Sequence, residues 1–106
     1  MSKQLGRAWG LSSAALAKAC ERQVLFRLKV GKFWLYPAVF LRLSPDKVHR
    51  INRVLKGNDT VGKFIFWHRT HEGLGGRDVS QALRDGMFDR VLELASGWSE
   101  ERGLDL

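Results

Sequence analysis

The sequence predicts a mostly helical α+β protein, in which an N-terminal helix-turn-helix with a β-hairpin wing precedes a small helical bundle. Three observations predict this class: two helical segments flank a glycine near the start, an alternating apolar pattern follows them, and helix-type spacing of apolar residues fills the rest. We expect residues 1–43 to form the first part and residues 44–106 the second. The two parts are either separate units or share one core, since 106 residues suffice for one ordinary domain.

The first two elements are predicted to be short helices joined by a tight turn. Leu5 and Trp9 lie four residues apart, Gly10 interrupts the first helix, and Ser12 and Ser13 can cap the alanine-rich run that follows. Such a pair matches a helix-turn-helix, whose second helix lies in the major groove of DNA. An ordinary helical hairpin that only packs is the alternative.

The helix-turn-helix interpretation assigns DNA contacts to two groups of residues. Exposed positions of the second helix face base edges and nearby phosphates, and cations of the following hairpin contact the phosphate backbone as a wing. The predicted DNA-binding residues are Ser12, Ser13, Ala17, Lys18, Arg22, Arg27, Lys29 and Lys32.

The hairpin is predicted from two apolar runs, 24–30 and 33–36, which are separated by a Gly-Lys pair. Glycine supplies the positive φ that a tight hairpin turn requires. Alternation in the first run places Phe26, Leu28 and Val30 on one face of the strand and Arg27 and Lys29 on the other.

Four helices are predicted in the second part from capping signals and apolar residues at helical spacing. Ser44 begins the first and Asp59 the second, and Asp78 and Gln81 have the spacing of a capping box for the third. The fourth is expected over about residues 88–98, with a frayed end after it.

The second of these helices contains five bulky residues in succession, from Phe64 to His68. Apolar groups on more than one side of a helix indicate a central position or a surface for a partner, and both interpretations stay open. On the interface interpretation, the second part binds a partner protein through Phe66, Trp67, Leu74, Arg77 and Trp98.

The formal charge of +7 is unevenly distributed along the chain. Residues 1–56 carry twelve Lys and Arg against two acids, whereas residues 78–106 carry three Arg against seven acids. A basic segment attracts the phosphate backbone through counterion release, and an acidic segment tends to face solvent or another protein. The distribution therefore favours DNA at one end and a protein at the other, with an unevenly charged solvated surface as the alternative.

Enzymatic chemistry is not predicted. His68 and His71 lie three residues apart with Glu72 adjacent, but no cluster of Cys or acids completes a metal site, and His68 falls on the apolar stripe of its helix. The glycines of residues 74–77 precede a helix N-terminus, yet the Lys-Ser/Thr pair of a phosphate loop is absent. We expect no catalytic residue, metal or cofactor.

Cys20 is the single cysteine and is expected to be a packed thiol, which suits a reducing compartment. No apolar run approaches the roughly 18 residues of a membrane span, and the first residues are not followed by the apolar core of a signal peptide. These features predict a cytoplasmic protein without a membrane partner.

The segment Trp67 to Trp98 resembles the toxin-binding domain of the Xre/MbcA/ParS class of bacterial antitoxins. In that domain a helix ends near a Trp, a Leu-Gly-Gly loop and a short helix follow, and a glycine break precedes the last helix. Here residues 74–76 correspond to the loop and Gly86 to the break, while Asp78 replaces the usual Pro. Upstream, the chain is similar to the helix-turn-helix and hairpin segment of some small bacterial DNA-binding proteins.

The resemblance implies a homodimeric antitoxin that represses its own operon through its N-terminal part. Its C-terminal part would bind a partner toxin, commonly of the RES type. The rival interpretation is a small phage or mobile-element protein that binds and inhibits a host protein without binding DNA.

Overall fold

The chain folds, in a computed structural model that describes residues 2–104 and the side chains of residues 4–99, as a mostly helical α+β protein. This confirms the predicted fold class. A two-stranded antiparallel hairpin, β1 (Leu28–Val30) and β2 (Phe33–Leu35), follows the first two helices. The helices of the described residues are α1 (Ser2–Trp9), α2 (Ser13–Glu21), α3 (Pro45–Val54), α4 (Thr60–His68), α5 (Val79–Arg84) and α6 (Phe88–Leu104).

The turn between α1 and α2 depends on two glycines. Gly10 has a φ of 68°, and the Leu11 backbone N–H donates to the Gly6 carbonyl at 2.8 Å. A Cβ on Gly6 would lie 2.5 Å from the Leu11 carbonyl oxygen, so this close approach requires glycine. The predicted cap is confirmed, because the Ser12 hydroxyl accepts from the Ala15 backbone N–H at 3.1 Å.

A Schellman motif that the sequence did not indicate ends α2. Gln23 has a φ of 61° and its backbone N–H donates to the Cys20 carbonyl, while the Val24 N–H donates to the Ala19 carbonyl at 3.1 Å. Glycine normally fills this left-handed position, so a glutamine there gives no signal in the sequence.

The first strand is shorter than predicted. Residues 24–26 are all buried and cross the core as irregular chain, and the strand pairing begins at Leu28 opposite Leu35. Three successive buried side chains are incompatible with a strand that alternates between core and solvent. The turn is as expected, with Gly31 at a φ of 61°.

Phe40 lies at the centre of the core, in a short 3-10 helix between β2 and α3. The Phe40 ring meets the rings of Trp67 and Phe26 edge-on, with centroids 5.0 and 5.4 Å apart. The indole N–H of Trp9 donates to the carbonyls of Phe40 and Leu43, each at 3.1 Å. These contacts hold α1 against the centre of the molecule.

The two predicted parts share one core. Asn52 of α3 is fully buried, and its side chain joins both parts. The Asn52 Nδ2 donates to the Val24 carbonyl at 3.3 Å, and its Oδ1 accepts from the Trp67 indole N–H at 2.8 Å. Of the two arrangements that the sequence leaves open, the structure has the single core.

The last helix extends further than predicted. Ser99 of α6 donates through its hydroxyl to the Val54 carbonyl at 3.0 Å and accepts from the Asn58 side-chain amide at 2.9 Å. These bonds tie α6 to the end of α3, and the helix continues to Leu104. The predicted frayed end is therefore wrong up to that residue. Within the described chain, we find no helix that combines the length and apolarity needed to cross a membrane.

Candidate nucleic-acid interface

The exposed face of α2 carries most of the residues predicted to contact DNA. Ser12, Ser13, Lys18 and Arg22 are exposed, and Ala17 is half-buried on the same face. The Ser12 oxygen is engaged in capping the helix, which leaves its hydrogen available to donate. The first turn of α2 therefore presents small side chains that would allow the helix to approach a partner closely.

Two cations of the hairpin cluster around the indole ring of Trp34. The Arg27 guanidinium carbon lies 4.4 Å from the ring centroid of Trp34, and the Lys29 ammonium lies 5.6 Å from it. Lys29 is paired directly with Trp34 across the two strands, and Lys32 is exposed in the turn. The indole thus holds two of the predicted phosphate-binding cations on one side of the hairpin.

The other side of the hairpin is apolar and exposed at its tip. Val30 and Phe33 are cross-strand partners with 57% and 72% of their surface accessible, while Leu28 and Leu35 at the base are half-buried. Leu28 and Val30 share one side of β1, as the alternation predicts, but Val30 is exposed because only the base of the hairpin packs against the core. Phe33 was not among the predicted site residues, although the sequence places this aromatic residue next to the turn.

Arg22 at the end of α2 and Arg53 of α3 both act on His49. Burial and the nearby Arg22 and Arg53 guanidinium groups lower the pKa of His49 from its ordinary value, while Asp46 acts in the opposite direction. The His49 ring packs edge-on against Trp9, with centroids 5.5 Å apart. Arg22 and Arg53 therefore both lie near His49. This grouping was not predicted, because α3 was assigned to the partner-binding part.

The positive charge around α2 and the hairpin comes from a long stretch of the chain without acidic residues. Residues 22–45 contain five Lys and Arg and neither Asp nor Glu. Among the described residues, the ion pairs join Arg50 to Asp46, Arg77 to Asp85 and Arg90 to Glu93, so none neutralises a cation of α2 or the hairpin. Glu21, exposed in the last turn of α2, is the nearest acid in sequence to this stretch at its N-terminal end. The surface would attract anions.

Cys20 is a packed thiol, as the sequence predicts. It lies on the inner flank of α2, 3.8 Å from the Tyr36 hydroxyl, and burial raises the pKa of Cys20 although Arg27 and Lys63 favour the thiolate. Lys63 of α4 is only 6% exposed, and burial lowers the pKa of its ammonium group. A thiol with a raised pKa is a poor nucleophile.

Three of the five residues predicted to bind a partner belong to the core. Phe66 and Leu74 are fully buried, and Trp67 is 1% exposed, so these residues are unavailable to a partner in this fold. That part of the prediction is wrong, because Phe66 and Trp67 lie on the inner face of α4 and Leu74 is buried in the short 3-10 helix that follows it. Arg77 and Trp98 are partly exposed; Arg77 pairs with Asp85 at 2.7 Å, and the Trp98 ring packs near Phe66.

The outward face of α4 carries apolar side chains that were not among the predicted site residues. Val61 is 60% exposed and Ile65 is 37% exposed, while Phe64 is half-buried. His68 is exposed and stacks on Phe64 with ring centroids 4.1 Å apart. One side of α4 therefore lies in the core, and the other side exposes apolar side chains.

In the C-terminal part, His71 and the N-terminus of α5 make hydrogen bonds within the fold. His71, at 7% exposure, donates from its Nε2 to the Phe66 carbonyl at 2.9 Å, whereas His68 points outward. Among the described residues, no three His, Cys, Asp or Glu side chains lie close enough together to hold a metal. The N-terminus of α5 is occupied by the Asp78 carboxylate, which accepts from the Gln81 backbone N–H at 2.8 Å and completes the predicted capping box.

Comparisons with known proteins identify no relative: neither a protein-family model, nor a curated protein, nor a solved structure matches the chain significantly.

Proposed function

We propose that this protein binds duplex DNA and acts as a transcription regulator of the antitoxin type. The observation that carries the proposal is that the exposed cations of α2 and of the hairpin have no paired acid among the described residues. The hairpin contributes Arg27 and Lys29 beside the Trp34 ring, and the C-terminal end of α2 contributes Arg22, which acts on His49 together with Arg53. A helix with unpaired cations at its end and on the following hairpin suits a groove whose two walls are phosphate backbones.

The roles proposed for the residues follow from their exposure and chemistry. Ser13 and Ala17 in the first half of α2 meet base edges, since small and hydroxyl side chains there allow the helix backbone to come close. Lys18, Arg22 and Arg53 contact phosphates on one side, and Arg27, Lys29 and Lys32 contact them on the other.

Fluorescence anisotropy with a labelled duplex at several salt concentrations tests this proposal. We expect the paired substitution Lys18→Ala and Arg22→Ala to weaken binding at low salt by about tenfold and to lower the slope of log K against log salt by about one per lost phosphate contact. Arg84→Ala, which removes an exposed cation of α5, is the matched control and should leave both values unchanged. Absence of binding to any duplex at micromolar protein and low salt would show that the proposal is wrong.

A protein-binding role is a second candidate, supported by the outward face of α4. Val61, Phe64, Ile65 and His68 lie at i, i+3, i+4 and i+7, which is the spacing of a helix-packing seam. We assign this seam to a homodimer, because a two-fold pair of α4 helices would cover identical apolar stripes and give DNA two copies of α2.

Light scattering after gel filtration tests the homodimer. The wild-type chain should have twice the mass of a monomer, and Val61→Glu should return it to the monomer mass because a buried unpaired carboxylate opposes association. Ser96→Glu adds the same charge at an exposed position of α6 and should leave the dimer intact. A monomeric wild type, or a Val61→Glu variant of unchanged mass, would contradict the assignment.

The antitoxin part of the proposal rests on the resemblance of residues 67–98 to the toxin-binding domain. Arg77 and Trp98 are the two predicted partner residues that keep exposed surface. Co-expression with the product of the adjacent open reading frame should give a stoichiometric complex. A neighbour that is not bound, in a protein that still binds DNA, would leave a regulator without an antitoxin role.

A further inference from the structure

We propose that Phe33 is an apolar wedge that enters a base-pair step of duplex DNA when the hairpin lies against the groove. This inference rests on the proposed DNA-binding function and extends it from phosphate contact to deformation of the duplex. Phe33 is 72% exposed, which makes it the most exposed large apolar side chain described. Its cross-strand neighbour Val30 is 57% exposed and adds to the same apolar tip.

The positive charge around the hairpin tip favours a nucleic acid as its binding partner. Lys29 and Lys32 flank Val30 and Phe33 in sequence, and the stretch of residues 22–45 holds no acid. An apolar tip within a cationic segment complements the apolar base stack lying between two phosphate chains. Apolar side chains that insert between base steps in this way unstack the bases and bend the duplex.

The geometry of the hairpin keeps the wedge available. Trp34, the adjacent aromatic residue, is on the opposite side of β2 and is held by Arg27 and Lys29. Phe33 has no aromatic or cationic partner within the described part of the chain. The cations are therefore fixed on one side of the hairpin, while the wedge projects on the other side of its tip.

Binding to two duplexes of one sequence, one fully paired and one with a single central mismatch, tests the wedge. Because a mismatched step is already partly unstacked, the wild-type chain should bind the mismatched duplex about tenfold more tightly. Phe33→Ala should remove that preference, and Phe33→Trp should keep it. A 2-aminopurine base beside the mismatch should brighten when the wild-type chain binds and stay dim with Phe33→Ala, a signal that a purely electrostatic contact would not produce.

Phe88→Leu provides the matched control. Phe88 lies at the start of α6 with the Arg50 guanidinium 5.0 Å from its ring centroid, so it shares the cation-aromatic character of the hairpin without its exposure. We expect this variant to keep the full preference for the mismatched duplex. Circular dichroism of Phe33→Ala should match the wild type, because the lost side chain is mostly outside the core.

The outcomes separate the wedge from the function on which it rests. If the chain binds both duplexes equally and Phe33→Ala binds as the wild type does, DNA binding stands and the wedge is wrong. Tighter binding of a single strand of equal length would also overturn the wedge, because the side chain would then stack on free bases. If no DNA binds and the chain instead binds vesicles containing anionic phospholipid in a Phe33-dependent way, both proposals fail.

Discussion

The aromatic residues of the core and those of the hairpin tip show how differently one residue class can be used in a small protein. Phe40 and Trp67 are buried, meet edge-on at 5.0 Å, and connect segments distant in sequence. Phe33 and Trp34 are 72% and 46% exposed, and the Trp34 ring lies beside Arg27 and Lys29. The first pair holds the two parts of the chain together, and the second pair is available to a partner.

The difference between the two regions lies in what surrounds each ring. The Trp67 indole N–H has a buried acceptor on Asn52, so the core can take the polar group without loss. The Trp34 indole instead lies under Arg27 and Lys29, whose hydration requires solvent. The neighbouring polar groups therefore decide the role of an aromatic residue more than its hydrophobicity does.

The largest expected effect comes from Trp67→Ala. Removing a buried indole from the centre should lower the free energy of unfolding by about 3–5 kcal/mol, as measured by urea denaturation. Trp34→Ala, the matched change on the hairpin, should cost less than about 1 kcal/mol because the ring is half exposed. Equal losses of unfolding free energy at the two sites would contradict the proposed difference between core and hairpin aromatic residues.

Asn52→Ala tests the buried amide that supports Trp67. The substitution leaves the Trp67 indole N–H and the Val24 carbonyl without partners, so stability should fall by about 2–3 kcal/mol. Thermal unfolding measures this loss. Gln4→Ala removes an exposed amide from α1 and should have almost no effect; a similar loss for both would mean that the buried bonds contribute little.

Gly6→Ala tests the turn that brings Trp9 to the core. The added Cβ would lie 2.5 Å from the Leu11 carbonyl oxygen, so α1 must shift and stability should fall by about 1–2 kcal/mol. Gly97→Ala is the matched control, since its Cβ meets no atom within 4 Å and alanine favours the helical conformation. Denaturant titration should show opposite signs for the two variants, and a stabilised Gly6→Ala would contradict the close approach.

His49 tests the boundary between the core and the basic surface. Its pKa is lowered in the folded chain by burial and by Arg22 and Arg53, so the unfolded chain binds more protons as the pH falls below the ordinary histidine pKa of 6.5. Stability should therefore decrease as the pH is lowered from 7.5 through 6.5. The urea midpoint of His49→Phe should depend less on pH over this range, and an unchanged dependence would rule out this origin.

Local signals account for the parts of the fold that the sequence predicted correctly. The Ser12 cap and the capping box of Asp78 and Gln81 join groups three residues apart, so a short segment of sequence is enough to predict them. The helix boundaries that depend on them are correct. The Schellman end at Gln23 was missed because a glutamine stands where glycine is usual, and the buried segment 24–26 was missed because it is held by distant residues such as Asn52.

The candidate site was predicted in part for the same reason. Exposed cations such as Lys18 and Arg27 can be recognised from charge patterning, because charged side chains remain at the surface. Arg53 and Phe33 were missed, because the place of Arg53 near Arg22 depends on the tertiary position of α3, and the exposure of Phe33 depends on how far the hairpin projects. The inward orientation of Phe66, Trp67 and Leu74 likewise follows from packing.

The mostly helical class, the caps at Ser12, Asp59 and Asp78, the hairpin turn at Gly31 and the separation of basic from acidic segments all follow from the sequence alone, whereas Ser44 makes no side-chain cap. These depend on local backbone hydrogen bonding, glycine conformation and charge, which need no distant contact. Which side of α4 is buried depends on the tertiary structure, because a helix with apolar residues on both sides has no preferred inward face until Asn52 accepts the Trp67 indole N–H. The other bond of Asn52, from its Nδ2 to the Val24 carbonyl, joins the two parts in one core, and Val61 and Ile65 remain outside it.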